Sequence, residues 1–542
     1  MKNNRMKKID ILGWILVTVL VMFNCIIIYK GTWAFFHSDG STVIAFAREQ
    51  WAQKKLYPDG WYYGTAIWNF GLNTIIIPFF ALCKNWLDAR AMAVIVQMLV
   101  MLGIILVYAK AGIIKKYTWV TILVMLLPVS EVVSEHLYFQ ATYMTALIYL
   151  AVLILAVVLI LTKHRWMIAV GATVMIGILY FNIATGYTMI LVFVCPMFLT
   201  LLIQCIQKMK KNISKRHLLS HIRVMLLLFV GTVSGMVYNA DLMSRLHVNK
   251  DVTGGYNFIK YDQIGDSLLR LVQCFLRLYG AADQHATLLS LNGVNKAMAF
   301  VYMIFMLFVV PVGLLKNYHK LKNDNQKMFV MFSIISSLAL MYIFVFTGMT
   351  QARYLIWIYF YTVINLGIWL DNYKNMNYCY SDELKVGLVI FGIIFISGIY
   401  IYYMRYDYNE NVDSLGANNN NIDYKIDYDL LDYLEKEGYT YGFANYWTSH
   451  VYTSASNGEV QIAAVNDTYT QPYLWLTSDK LYKKKAHKGK CFVLILDWQL
   501  ERLPIEYTEM AIDKIEYNNH TIFIYEDAKV VRKIWKKYKG AQ

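Results

Sequence analysis

Four stretches of this sequence put side chains able to do chemistry at the edges of apolar segments. In FFHSDGSTVIAFAREQWAQKKLYPDGWYY (35–63), Asp39 follows directly on an apolar run. A carboxylate there can cap a helix, as Ser38 or Ser41 also can, because its oxygens accept bonds from free backbone N–H groups. It can equally take a proton from a substrate hydroxyl. In PVSEVVSEHLYFQATYM (128–144), Glu131 and Glu135 are four apart and share a helix face, with His136 adjacent. Acids this close to lipid are costly unless they meet water, a cavity or a partner, and Glu131 is predicted to be the hardest of the three to solvate. In TGMTQARYLIWIYF (347–360), Arg353 precedes Tyr354 at the start of an aromatic-rich run. A guanidinium there can clamp phosphate oxygens with its planar fork of donors, or snorkel to lipid phosphates. The fourth stretch, YFNIATGYT (180–188), with Asn182, Thr185 and Gly186, reads as a turn.

The elements that must position these groups are membrane helices. The chain has 542 residues, of which 58% are hydrophobic and only 16% charged, too greasy for a soluble protein of this length. Apolar runs approaching the ~20 residues of a bilayer crossing are predicted at 10–30, 91–109, 118–134, 141–162, 166–181, 186–206, 224–240, 296–315, 328–347, 354–370 and 386–403. The formal charge of +15 points to lysine-rich cytoplasmic loops rather than to nucleic acid. The seven cysteines form no CxxC pair, so neither a disulfide framework nor a zinc motif is indicated. The basic start, MKNNRMKKID, leads into the first apolar run without a small-residue cleavage site and reads as an uncleaved anchor.

Orientation follows from Lys and Arg. With the N-terminus inside and 64–83 dipping into or lying along the membrane, the inner loops hold Lys110, Lys115 and Lys116, then Lys163 and Arg165, then Lys208, Lys210, Lys211, Lys215 and Arg216. Lys316, Lys320, Lys322, Lys327 and Lys374 complete the set, while the short outer loops near 134–142 and 181–187 hold none. About eleven spans are therefore predicted in residues 1–403, with outer loops at 31–90 and 241–294 and an outward-facing tail. Val43, Phe46, Ala47 and Trp51 repeat at helical spacing with Arg48, Lys54 and Lys55 elsewhere, which predicts an amphipathic helix in the membrane interface. Trp61, Tyr62 and Tyr63 suit an interfacial belt or a sugar-stacking surface.

The tail changes character. Residues 404–421 read as a linker, and 422–542 as a small α/β domain. YDLLDYLEKEG predicts a helix closed by Gly438, and TYGFANYW, EVQIAAV, CFVLILD and HTIFIYE predict strands.

Together these residues resemble the GT-C superfamily of membrane glycosyltransferases, such as protein mannosyltransferases and the aminoarabinose transferase of lipid A. The likeness rests on the early Asp39, the long first outer loop, Ala89-Arg90 opening the next span, Arg353-Tyr354 starting a late one, and the soluble tail. It implies a mainly α membrane bundle with an extracytoplasmic α/β domain, in the cell membrane with the N-terminus cytoplasmic. The implied activity is transfer of a sugar from a polyprenyl-phosphate donor to a cell-surface polysaccharide, lipid or protein. Asp39 would be the general base; Arg353, Arg90 and Tyr354 would bind phosphate; Glu135, His136 and Glu131 would line the acceptor side or hold a metal. No cofactor is marked with certainty, and a divalent metal has weak support because the ligand types are few and generically spaced. A lipid-linked-sugar polymerase, flippase or transporter is the competing reading. The absence of charge at mid-span and the gathering of unusual residues at one face favour an interfacial enzyme over a transporter.

Overall fold

The computed structural model describes residues 2–34, 36–210, 215–249, 257–282, 287, 289–321, 323–372, 392 and 426–538. The predicted span at 386–403 (Gly392 apart) and the linker at 404–421 lie outside them. The chain forms two compact units: Met1–Ile28, Ile95–Ala240 and Gly255–Asn419 make the first, and Tyr29–Val94, Asp241–Gly254 and Asn420–Gln542 make the second. The sequence reading grouped 31–90 with the spans; here those residues belong to one unit with the tail.

Among the described residues, eight helices are long and apolar enough to cross a membrane: Ile9–Thr32, Trp86–Lys110, Arg165–Thr185, Ile190–Lys210, Leu218–Arg245, Gly293–Lys316, Asp324–Phe346 and Ala352–Asn372. The run at 118–134 is not one straight helix. Thr118–Leu126 and Glu131–Phe139 meet at 98°, across a break that contains Pro128, where the ring cannot continue the hydrogen-bond ladder. Met144–Ile160 is a shorter apolar helix. Leu72–Ala81, inside the ambiguous 64–83 stretch, has about half the length a crossing needs.

In the first unit the helix Ile356–Asn372 is central, since 89% of its apolar window is buried inside the protein. Its Tyr361 hydroxyl donates to Val192 O at 2.9 Å, and Ser336 Oγ donates to the same carbonyl at 2.8 Å. Val192 sits in a π-helical turn, Ile190–Val194. Such a turn disturbs the regular ladder, and these hydroxyls supply its carbonyl with partners. Gly231 and Gly235, four apart, let helix Lys215–Arg245 approach helix Arg165–Thr185 closely: a Cβ on Gly235 would lie 2.8 Å from Leu179 O and from Ile183 Cβ.

Polar groups separate to the two ends of this unit. Asp371 accepts backbone N–H bonds from Lys115, Lys116 and Tyr117, while Asn323 and Asn325 donate to Gly112 O and Ala111 O, each at 2.8 Å. Lys208 pairs with Asp324 at 3.8 Å. The lysine-bearing loops around 110–116 and 316–327 therefore share one end. Arg353 begins the segment that ends at Asp371, some 27 Å further along at helical rise.

The second unit has a five-stranded sheet in the order 461–465, 441–445, 491–496, 520–525, 513–517; the first three strands are parallel and the last two antiparallel neighbours. Both faces are buried with period two. Phe492, Leu494, Ile522 and Ile524 pack with Leu430, Leu434 and Tyr452. Val493, Ile495, Phe523 and Tyr525 pack with Val531, Ile534 and Trp535. Gly438 ends helix Tyr428–Lys436 at φ +74°, as its position predicts.

A second sheet joins three distant pieces of chain. Trp61–Tyr63 runs parallel to His247–Val248 and antiparallel to Thr477–Ser478. Beside it, helix Ser38–Gln53 lies on helix Tyr446–Ala455, and Lys480 Nζ meets Glu49 at 2.6 Å. The amphipathic helix predicted for the membrane interface thus directs its buried residues into protein: Phe46 packs on the rings of Trp61, Tyr63 and Trp68, 5.1–5.8 Å away.

Candidate functional site

Asp39 is half-buried in the first turn of helix Ser38–Gln53. It is not the N-cap. His37 occupies that position in extended conformation, and its Nδ1 accepts the Asp39 N–H at 3.2 Å. The small residues Ser38, Gly40 and Ser41 are buried and let the helix end approach Tyr446–Ala455. Ser38 Oγ lies 2.9 Å from Tyr446 O and 2.7 Å from Trp447 O, and Ser454 Oγ donates to Ser41 O at 3.4 Å. Tyr446 is buried, and burial, reinforced by the Asp39 charge, holds its phenol well above the ordinary range. The Tyr446 hydroxyl is engaged with both Asp39 and Thr42.

Arg90 belongs to the same unit, in the first turns of helix Trp86–Lys110. It is 1% exposed, and neither Nε nor Nη2 has a hydrogen-bond partner. Its guanidinium carbon lies 5.9 Å from the ring of Phe36, three residues before Asp39. A buried guanidinium with unfilled donors is costly unless an anion fills the place. A separate groove of about 510 Å³ is lined by Tyr29, Phe79, Leu82, Lys84, Asp88 and Met92 among others; neither Asp39 nor Arg90 lines it.

The remaining candidates lie in the first unit. Glu131 opens the short helix Glu131–Ser134 and is exposed, whereas Glu135 and His136 are buried. This reverses the expected order of solvation. The bend at Pro128 restarts the helix at Glu131 with that side chain exposed, and the π-helical turn Glu135–Phe139 carries the next residues inward. His136 Nδ1 is 3.0 Å from Thr142 Oγ1, and its ring meets Tyr143 edge-on at 5.7 Å. Tyr143 in turn meets Trp357 at 6.2 Å. Arg353 is half-buried in the 3-10 turn Ala352–Leu355, with its guanidinium 5.6 Å from the Tyr354 ring. That turn packs against both Glu131–Ser134 and helix Ile264–Leu278. Ser130 Oγ donates to Leu278 O at 2.7 Å, and a side chain on Gly280 (φ +73°) would strike Val129 O. The acids, His136 and Arg353 thus stand on adjoining elements at the end of this unit remote from the lysine-rich loops.

Sequence reasoning passed over His37, Tyr446 and Trp475. The run TYGFANYW reads as one strand, but its last residues begin a helix: Asn445 is an N-cap, its Oδ1 accepting Thr448 N–H at 3.0 Å. An Asn before a mixed polar run is a readable cap signal. Asn182, at the predicted turn 180–188, lies in helix Arg165–Thr185, and Gly186 ends that helix. No group of three or more His, Cys, Asp or Glu able to hold a metal ion occurs among the described residues. No known family model matches this chain, and no curated protein matches it in sequence.

Proposed function

We propose that this chain is a membrane glycosyltransferase that moves a sugar from a polyprenyl-phosphate donor to an acceptor hydroxyl on the extracytoplasmic side of the cell membrane. The single observation that carries the reading is Arg90, a buried guanidinium with unfilled donors in the same compact unit as Asp39. A cation held this way suits a phosphate, whose oxygens would fill the empty donors. Asp39 removes the acceptor proton as the acceptor oxygen bonds to the anomeric carbon. The bond from that carbon to the phosphate oxygen breaks, and its electron pair leaves with the polyprenyl phosphate. The leaving group is already a stable anion, so positive charge rather than a general acid assists its departure. Arg90 supplies that charge. The lysine-rich end of the first unit faces the cytoplasm by the positive-inside rule.

The test is turnover of a radiolabelled polyprenyl-phosphate sugar by full-length protein in membranes. Asp39→Asn lowers transfer by about 10²- to 10⁴-fold and leaves the thermal midpoint in place. Wild-type turnover in that variant sinks the assignment of the base.

A further inference from the structure

Beside Asp39 the second unit carries a group of aromatic side chains that proton transfer does not require. Tyr446 is the hub, with ring centroids 5.4 Å from Trp447, 5.7 Å from Tyr473 and 4.9 Å from Trp475. The His37 ring lies 6.5 Å from Trp447, so the cluster reaches the cap of the Asp39 helix. The inner ring is 5% exposed, yet Trp447 is 38% exposed and Tyr473 and Trp475 are half-exposed. Rings gathered only to dock one helix on another would be covered by it; three of these keep surface in the open, and the Trp447 backbone carbonyl accepts from Ser38, the residue before Asp39.

One polar atom in the cluster is orphaned. Trp475 Nε1 is buried and has no hydrogen-bond partner, while the Tyr446 hydroxyl is engaged with Asp39 and Thr42. Buried donors are normally satisfied, so the indole calls for a missing partner. The loop that presents Tyr473 and Trp475 is held firmly. Asn466 Oδ1 accepts N–H bonds from Thr470 and Gln471, Tyr507 Oη donates to Tyr469 O at 2.6 Å, and Asn249 Nδ2 donates to Leu474 O at 3.0 Å. The backbone is left-handed at two non-glycine residues flanking the rings, Tyr469 (φ +56°) and Leu476 (φ +50°). Strain of this kind is maintained where the surroundings fix it, often around ligand sites.

A pyranose ring matches this surface. One face of axial C–H groups stacks on aromatic rings, and its rim of hydroxyls suits an orphan indole N–H and a carboxylate. We propose that Trp447, Tyr473 and Trp475 form the acceptor subsite, on which a pyranose of the acceptor stacks with one hydroxyl directed at Asp39. The proposal rests on Asp39 being the base. It gives the C-terminal α/β portion the choice of acceptor, and it makes the acceptor a glycan or glycosylated lipid rather than a bare protein side chain.

The test separates binding from turnover. Saturation-transfer NMR on the full-length chain in detergent uses three probes: methyl β-D-glucopyranoside, methyl β-D-galactopyranoside and methyl α-D-mannopyranoside. At least one shows saturable transfer, strongest at the protons of one ring face. Trp447→Ala and Trp475→Ala each weaken it about tenfold or more, Trp447→Phe restores it, and Asp39→Asn retains stacking. Near-ultraviolet circular dichroism identifies any variant that has lost its fold, and Trp447→Leu, at an exposed ring, replaces one that has. Absence of saturable transfer with all three probes overturns the proposal, as does equal binding by folded Trp variants. Pyranoside binding without turnover of any polyprenyl-phosphate sugar removes the transferase reading and leaves the sugar site. Turnover without pyranoside binding does the reverse.

Discussion

Replacing Arg90 by Met should make the unliganded protein more stable and abolish the proposed sugar transfer. The side chain is 1% exposed, and its Nε and Nη2 find no acceptor. A buried unsatisfied donor costs about 1–3 kcal/mol, more when charged. Met keeps most of the apolar stem, so little packing is lost. Against the gain stands the contact with Phe36, whose ring lies 5.9 Å from the guanidinium carbon; a cation–π pair contributes about 0.5–2 kcal/mol. The balance is a gain of about 1–2 kcal/mol. For a unit of roughly 200 residues, that raises the thermal midpoint by about 2–4 °C per kcal/mol. Polyprenyl phosphate supplies the second arm of the assay. At a hundred times its dissociation constant a ligand stabilises its target by about 2.7 kcal/mol, an increment wild type should show and Arg90→Met should lack. A thermal-shift series with and without the lipid phosphate reads both effects. If Arg90→Met melts several degrees below wild type, the guanidinium is a structural strut and the phosphate argument fails.

Other expectations concern the scaffold. Ser38→Ala should lower the melting midpoint by an amount matching about 1–2 kcal/mol: a hydroxyl has one proton, so only one of its two carbonyl contacts, to Tyr446 and Trp447, is a full bond at a time. Equal melting of wild type and Ser38→Ala would show that the contact is dispensable. His450 is 2% exposed, and burial pushes its pKa down to about 4. The unfolded chain, with an ordinary value near ~6.5, binds the proton more readily, so stability is full above that pH and falls by about 3 kcal/mol as pH drops towards 4. His450→Gln should flatten that slope in melts between pH 4 and 7; an unchanged slope would clear His450. Gly235→Leu should cost about 1–3 kcal/mol, because the new side chain meets Leu179 O and Ile183 where the helices touch; normal yield and melting of that variant would contradict the close crossing.

Much of the first unit was legible because apolar runs announce membrane-length helices whatever their partners. Its exceptions have local causes. Pro128 breaks a run that hydropathy alone reads as continuous, and with the bend Glu131 is left exposed and Glu135 buried. Four of the five strands in the main sheet were readable as apolar runs. The fifth, Asp513–Tyr517, is an edge strand with Asp, Lys and Glu on its exposed positions, and charge there hides the strand signal. Helix Ala528–Tyr538 was not singled out in the sequence, although its buried stripe of Ala528, Val531, Ile534 and Trp535 repeats at helical spacing. Among the candidate residues, Asp39, Arg90 and Arg353 stood out in the sequence by type and position. Their partners did not: the contact of Ser38 with Tyr446 joins residues 408 apart, and nothing near either one predicts the other.

The three-stranded ribbon at Trp61–Tyr63 has a consequence for how the molecule is made. Its middle strand leaves the ribosome early, but one neighbour, Thr477–Ser478, follows more than 400 residues later. At about 5–20 residues per second, that is a wait of some 20–80 seconds. Throughout it Trp61 and Tyr63, buried in the finished protein, have no mate on that side. A chain that stalls before its last quarter is made would leave this early segment open to proteases and to wrong partners. Quality control of the whole protein can therefore act on a stretch made in the first moments of its synthesis.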